Sequence, residues 1–312
     1  MNRILLSIVG VLAVLWTSLF ASSNSFSADS GDNRQERFPA EDQVLFAAGD
    51  RVLLAAGDIV ECTNDNSANT ANIVRRFPKA TVATLGDNAY PDGSAEDFEC
   101  YDRTWGSFKD RTRPAVGNHE YWTRGAAGYF DYFGARAGDR KKGYYTYRLG
   151  SWRVIVLNSM CKETRRCGPR SKQYRWLKRT LAKSTERCTL AYMHHPWMSS
   201  GLHGPTRKIK YMVELLYRYR AEVILSGHDH HYERFAPQRP NGRRDIQRGI
   251  RQFVVGTGGR KPRPLRKPLK NSQVSNDTDL GVLKLVLRRG SYTWRFISVN
   301  REFTDKGRDF CH

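Results

Sequence analysis

The sequence has no Cys-x-x-Cys pair, which removes the usual zinc-ribbon and dithiol redox signatures. After Phe20 no apolar run is long enough to cross a bilayer, so the remainder reads as soluble. There is no long internal repeat and no sustained heptad, which excludes a solenoid or coiled coil. No linker interrupts the chain, so one α/β domain is the simplest organisation for its 312 residues. Acids are scarce. Against 52 Lys and Arg stand only 31 Asp and Glu, a formal net charge of +21. Such a field draws anions, among them phosphorylated metabolites, nucleic acid and acidic envelope polymers.

What is present begins with a targeting pattern. Arg3 precedes an uncharged, mostly apolar run from Ile4 to Phe20, and small and polar residues follow from Ala21 to Ala28. This order predicts a signal peptide over 1–28, with a retained anchor as the alternative, and a disordered leader over 29–43. Removing residues 1–28 takes away Arg3 and no acid, leaving about +20. Six cysteines fit an oxidising compartment and up to three disulfides. Their pairing is open among 15 possibilities, although Cys161 and Cys167 flank a short polar loop and form the natural local pair. The chain is therefore expected to be exported, to a periplasmic or extracellular location. Its densest basic stretch is Arg260, Lys261, Arg263, Arg266, Lys267 and Lys270, interleaved with three prolines. That stretch reads as a solvated extended loop, with substrate attraction as the sharper alternative.

From residue 44 to 312, strand and helix patterns alternate. Val52–Ala56 ends at Gly57-Asp58, a helix pattern fills Asn66–Phe77, and Thr81–Leu85 ends at Gly86-Asp87, the size of a βαβ unit. Ala95–Phe108, Arg170–Leu181 and Arg207–Tyr219 have helical spacing, and 144–149 with 152–158 reads as a hairpin. Asp50 closes a near copy of the Asp58 segment but lacks the βαβ spacing, and reads as a turn residue.

Five strand ends finish in polar donors: Asp58, then Asp87 with Tyr90, Asn118 with His119, His194 with His195, and His228 with His230. In α/β sheets the loops beyond the carboxyl ends of strands converge on the ligand crevice. Carboxylates, imidazoles, an amide oxygen and a phenol suit iron, zinc or manganese rather than a thiolate-seeking ion. Even seven of these donors exceed one tetrahedral ion, whereas two ions sharing a carboxylate would use all seven.

These blocks, Gly57-Asp58, Gly86-Asp87-Asn88-Ala89-Tyr90, Gly117-Asn118-His119-Glu120, Met193-His194 and Gly227-His228-Asp229-His230, resemble the calcineurin-like metallophosphoesterases. Tyr232-Glu233-Arg234 and His203-Gly204-Pro205-Thr206 are similar to the purple acid phosphatase branch, in its short form. The resemblance implies an α/β fold arranged as a four-layer α/β/β/α sandwich. It implies that Asp58, Tyr90 and His230 hold ferric iron and that Asn118, His194 and His228 hold a divalent ion (Fe, Zn or Mn), with Asp87 bridging. It implies that His119 and His203 contact the phosphate and help to protonate the leaving group. His195 has no ligand role in that pattern. Val60 stands where many members of the branch have Gly and where relatives outside it place a His ligand, so Tyr90 is the replacement donor.

The expected function is an exported phosphatase that hydrolyses phosphate monoesters with a hydroxide held between two metal ions. A phosphodiesterase or nuclease with the same metal pair is the first alternative. A non-catalytic basic protein that binds anionic polymers is the second, and a pure binder has no use for the donor set. Obligate nucleic-acid partners are not expected, nor is membrane contact beyond an N-terminal anchor.

Overall fold

The computed structural model describes residues 49–312. The expected signal segment and leader lie outside the described residues. In chain order the elements are β1 (Arg51–Ala56), β2 (Val60–Glu61), α1 (Asn66–Arg75), β3 (Thr81–Leu85), β4 (Ala89–Tyr90), α2 (Ala95–Thr104), β5 (Thr112–Ala115) and α3 (Ala127–Phe133). There follow β6 (Tyr145–Leu149), β7 (Trp152–Val156), α4 (Lys172–Ala182), β8 (Cys188–Tyr192), α5 (Lys210–Arg218), β9 (Val223–Ser226), β10 (Tyr232–Phe235) and β11 (Arg251–Val255). The last four are β12 (Ser272–Asn276), β13 (Gly281–Arg288), β14 (Ser291–Ser298) and β15 (Lys306–Phe310).

Two mixed sheets form the body. One runs β15-β14-β13-β1-β3-β5 and the other β12-β10-β11-β9-β8-β7-β6. β1, β3 and β5 are parallel, and β1-α1-β3 is the expected βαβ unit. In the second sheet β7, β8, β9 and β11 are parallel, and β6-β7 is the expected hairpin. Alternation along β7 divides the core. Trp152, Val154 and Val156 join the apolar cluster of the first sheet, whereas Ile155 and Leu157 join Leu177, Leu181, Met212 and Leu216 of α4 and α5. The seven-stranded sheet thus packs between the other sheet and two helices.

The helix over 95–108 changes character at Trp105. Ser94 and Asp97 form a capping box at the start of α2, and a 3-10 helix takes over at Trp105–Arg111. Trp105 is fully buried there, its indole N–H donating to Ser67 O at 3.1 Å. All six cysteines are paired, as Cys62–Cys100, Cys161–Cys167 and Cys188–Cys311. No helix among the described residues is long and apolar enough to cross a membrane.

Candidate metal centre

The parallel strands bring their carboxyl ends to one edge, and the loops that leave β1, β3, β5, β8 and β9 carry the donors. Asp58, Asp87 and His228 are held at φ of 59°, 49° and 72°, left-handed backbone that few non-glycine residues adopt. Each costs about 1–3 kcal/mol and persists only where surroundings impose it, most often at functional sites. Two glycines make room for the convergence. Gly86 has φ +85°, and a Cβ there would lie 2.7 Å from His194 Cβ. A Cβ on Gly117 would overlap the Asp87 carboxylate.

Asp87 Oδ2 stands between two groups of donors. On one side Tyr90 OH lies 3.2 Å from it and donates to Asp58 Oδ1 at 2.9 Å, with His230 Nε2 3.5 Å from both Tyr90 OH and Asp58 Oδ1. On the other side His194 Nε2 lies 3.1 Å from Asp87 Oδ2, 3.0 Å from Asn118 Oδ1 and 3.1 Å from His228 Nδ1. Asp87, His194 and His228 each offer a ligand atom within 4.8 Å of the others. The two-strand pair β2-β4 sets Tyr90 in register with Glu61, and Val60 with Ala89.

The protonation pattern fits cations. His194 Nδ1 faces Leu85 O at 3.0 Å and His230 Nδ1 faces Lys261 O at 3.0 Å. Carbonyls only accept, so both rings carry hydrogen on Nδ1 and turn Nε2 toward the cluster. Around His194 Nε2 stand two oxygens, Asp87 Oδ2 and Asn118 Oδ1, and the ring nitrogen His228 Nδ1, all within 3.1 Å, and one hydrogen cannot serve three partners. A cation can. Burial lowers the affinity of His194 for a proton, yet the facing Asp87 and Asp58 reverse this and raise it to about 9. Burial raises Asp58 to about 7, partly opposed by His194. Asp87 would also be raised by burial, but His194 and His119 hold it well below the usual range. Burial, then Asp58 and Asp87, push the Tyr90 phenol well above 10, so only a strongly polarising ion would take its proton.

The remaining sequence-predicted residues divide clearly. His119 packs on Tyr90 (ring centroids 4.3 Å), gives its Nδ1 hydrogen to Pro91 O, and turns Nε2 toward Asp87 Oδ2 at 3.8 Å. His203 is exposed and lies 4.4 Å, ring to ring, from His228. His195 sits behind the donors, 4.3 Å from the His228 ring and bonded through Nδ1 to Ser159 Oγ at 2.9 Å. Burial, then His194, lowers it to about 3, consistent with a neutral packing role.

Several residues escaped the sequence reading. Glu120 is fully buried and accepts from Gly117 N (2.6 Å), Asn88 N (2.5 Å) and Asp87 N (3.0 Å), tying two donor loops together. Asp229 accepts from His203 N at 2.9 Å, and Glu233 from Ser200 N at 2.9 Å. All three acids stood inside the motif blocks, which was the available signal. Trp122 carried none. It is 64% exposed, and its ring lies 4.0 Å from that of His119 at a tilt of 46°. A cavity of about 630 Å³ lined by Trp197, Thr206, Lys210, Tyr217 and Arg239 contains none of the donors.

A layered α/β body whose strand-end loops crowd oxygen and nitrogen donors around one shared carboxylate defines a metal-site protein of the hydrolase kind. A model described as calcineurin-like phosphoesterase matches residues 43–232, more than half of the chain, and the chain belongs to that family. Purple acid phosphatase 15 of Arabidopsis thaliana is 29% identical over 149 residues, covering 42% of this chain and 27% of its own. Tartrate-resistant acid phosphatase type 5 of Oryctolagus cuniculus is 26% identical over 196 residues, 54% of this chain and 60% of its own. Among solved structures, purple acid phosphatase PPD1 from yellow lupin (Lupinus luteus) seeds superposes with a TM-score of 0.66 at 18% identity, over 83% of this chain and 53% of that one. The similarity thus falls on the purple acid phosphatase-like branch, while the chain spans about a quarter of the first plant relatives it matches. GAP50, described as the anchor in the inner membrane complex of Plasmodium, shares the fold with a TM-score of 0.61 at 14% identity. The fold alone does not fix an activity.

Proposed function

We propose that this chain is an exported, binuclear metal-dependent phosphatase that hydrolyses phosphate monoesters. The observation that carries the reading is Asp87 Oδ2, 3.2 Å from Tyr90 OH and 3.1 Å from His194 Nε2, common to both groups of donors. Asp58, Tyr90 and His230 would hold one ion, ferric iron, and Asn118, His194 and His228 a divalent one. Two bound cations supply an activated water and neutralise charge on the phosphoryl group.

The chain's own residues do the rest. Glu120 locks the loops of Asp87 and Gly117 so that the donors are set before substrate arrives. Leu85 O and Lys261 O fix the His194 and His230 rings. His119 and His203 flank the crest, where a histidine can give a proton to the leaving oxygen as the P–O bond breaks. Export is supported by three disulfides that use every cysteine.

Metal analysis of the purified protein beside assays with an aryl monoester and a bis-aryl diester tests the reading. Asp87→Asn is expected to lower turnover by more than about a thousandfold, and Tyr90→Phe to bleach a visible charge-transfer band. Full turnover by a metal-free preparation would overturn it. Preference for the diester would replace the monoesterase by a diesterase.

A further inference from the structure

The turn that follows β11 lies against the Asp58 side of the cluster, and two glycines bring it close. Gly258 N donates to Gly57 O at 2.8 Å, and a Cβ on Gly259 would overlap Ile59 O. Arg260 N then donates to Asp58 O at 2.8 Å, and Lys261 O faces His230 Nδ1 at 3.0 Å. Backbone groups of this turn thus touch two of the three residues that would hold the ferric ion. None of those contacts uses the side chain of Arg260.

That side chain reaches the third residue. The Arg260 guanidinium lies over the Tyr90 ring, its carbon 4.6 Å from the ring centre, and Nη1 pairs with Glu61. Glu61 is fixed in turn. It is in register with Tyr90 across β2 and β4, accepts from Asn64 Nδ2 at 3.1 Å, and precedes Cys62, which is bonded to Cys100. A planar cation gripped by a carboxylate keeps its place on a ring face better than a free one. The same ring presents its hydroxyl to Asp58 and Asp87. One aromatic ring therefore joins a fixed cation to the donor cluster.

We propose that Arg260 is a positioning residue that acts through Tyr90 and sets the electron affinity of iron held by Asp58, Tyr90 and His230. The proposal rests on the binuclear reading with ferric iron on the Tyr90 side. A phenolic oxygen bound to ferric iron passes charge from ring to metal and gives a visible band. A cation over the ring lowers the energy of the ring electrons and opposes that transfer. Its field also favours the ion with one positive charge fewer. Arg260 therefore moves the band to shorter wavelength and makes the iron easier to reduce. In that reduction one electron passes from the titrant to ferric iron, which becomes ferrous, and no bond to the protein is made. The Arg260 side chain is 25% exposed, so water screens its charge and the effect is several-fold.

The test uses the full chain reconstituted with iron and zinc, titrated with dithionite in the presence of mediators and followed in the visible range. Arg260→Gln keeps the backbone N–H that binds Asp58 O and removes only the guanidinium. It should move the band to longer wavelength and lower the ferrous-to-ferric ratio at a fixed potential by about threefold or more. Arg260→Lys restores the charge and should bring both back toward the native values. Lys267→Gln removes an exposed cation from the same stretch and should move neither. Loss of an ion pair alone would lower Tm and leave the band and the ratio in place. That result in Arg260→Gln would overturn the proposal and spare the metal reading. Equal shifts in Arg260→Gln and Lys267→Gln would also overturn it, because net charge and not position would then be acting. Should Arg260→Gln fail to hold iron, Arg260→Met keeps the aliphatic stem on the ring and carries the same two expectations. A native band that Tyr90→Phe leaves unchanged, or no native band at all, would sink the assignment of ferric iron to Tyr90 and this proposal with it.

Discussion

β8 and β9 lie side by side and carry different chemistry at their two ends. At the crest they run into His194 and His228, where lone pairs of imidazole, amide and carboxylate face one another across about 3 Å. At the base, β8 starts at Cys188, bonded to Cys311, and Glu222 precedes β9 and accepts from Thr189 N at 2.6 Å. Both ends bury a carboxyl group whose proton affinity burial raises, to about 7 in Asp58 and about 8 in Glu222. At the base a neutral acid is an adequate answer. At the crest Asp58 and Asp87 share one cluster with three imidazoles, an amide and a phenol, a donor set suited to cations. One end is built for stability and the other tolerates strain for function.

That contrast breaks most easily at the disulfide. Cys188–Cys311 links residues 123 apart, and closing such a loop is worth roughly 4–5 kcal/mol in the chain-entropy picture. The Cys188→Ser, Cys311→Ser variant should show a markedly lower Tm by circular dichroism and near-normal kcat/KM for the fraction that remains folded. A folded variant with lost activity would mean that base and crest are not independent.

Metal supplies the next effect. Loading the stripped protein with metal should raise its stability by about 4 kcal/mol at a thousandfold excess over Kd. Asp87→Asn should remove most of that gain, whereas the disulfide variant should keep it, because the two sites share no partner. Calorimetric scans with and without chelator read this directly. An equal gain in Asp87→Asn would place the stabilising ions elsewhere.

The sequence made the family and its α/β class legible because the donors sit in short blocks, each closing a strand. It also separated Asp58 from its near copy Asp50, since only the former has the βαβ spacing to Asp87. The order of strands within the two sheets was beyond reach, because pairings such as β1 with β13 join segments about 230 residues apart, set by packing rather than local pattern. Glu120 was visible as a letter but not as a clamp, since its meaning lies in three backbone N–H groups from two loops. The basic stretch is the extended loop its composition suggested, and its place beside the site lies in hydrogen bonds to Asp58 and His230 that composition does not carry.

The smallest effect sharpens the comparison from the base. Glu222 has an ordinary carboxyl affinity near 4.5 when unfolded and one raised to about 8 by burial when folded. Between those values the folded chain binds the extra proton, so unfolding releases it and stability falls as pH rises. The contribution is intact below pH 4.5 and lost as pH passes through about 8. Glu222→Gln keeps an acceptor for Thr189 N and has nothing to ionise. At roughly 1.4 kcal/mol per pKa unit, the variant should match the native chain near pH 4 and exceed it by a few kcal/mol near pH 9. Urea unfolding of both proteins across that range checks the sign. Parallel stability curves would show that Glu222 is charged in the fold and that burial at the base is no gentler than at the crest.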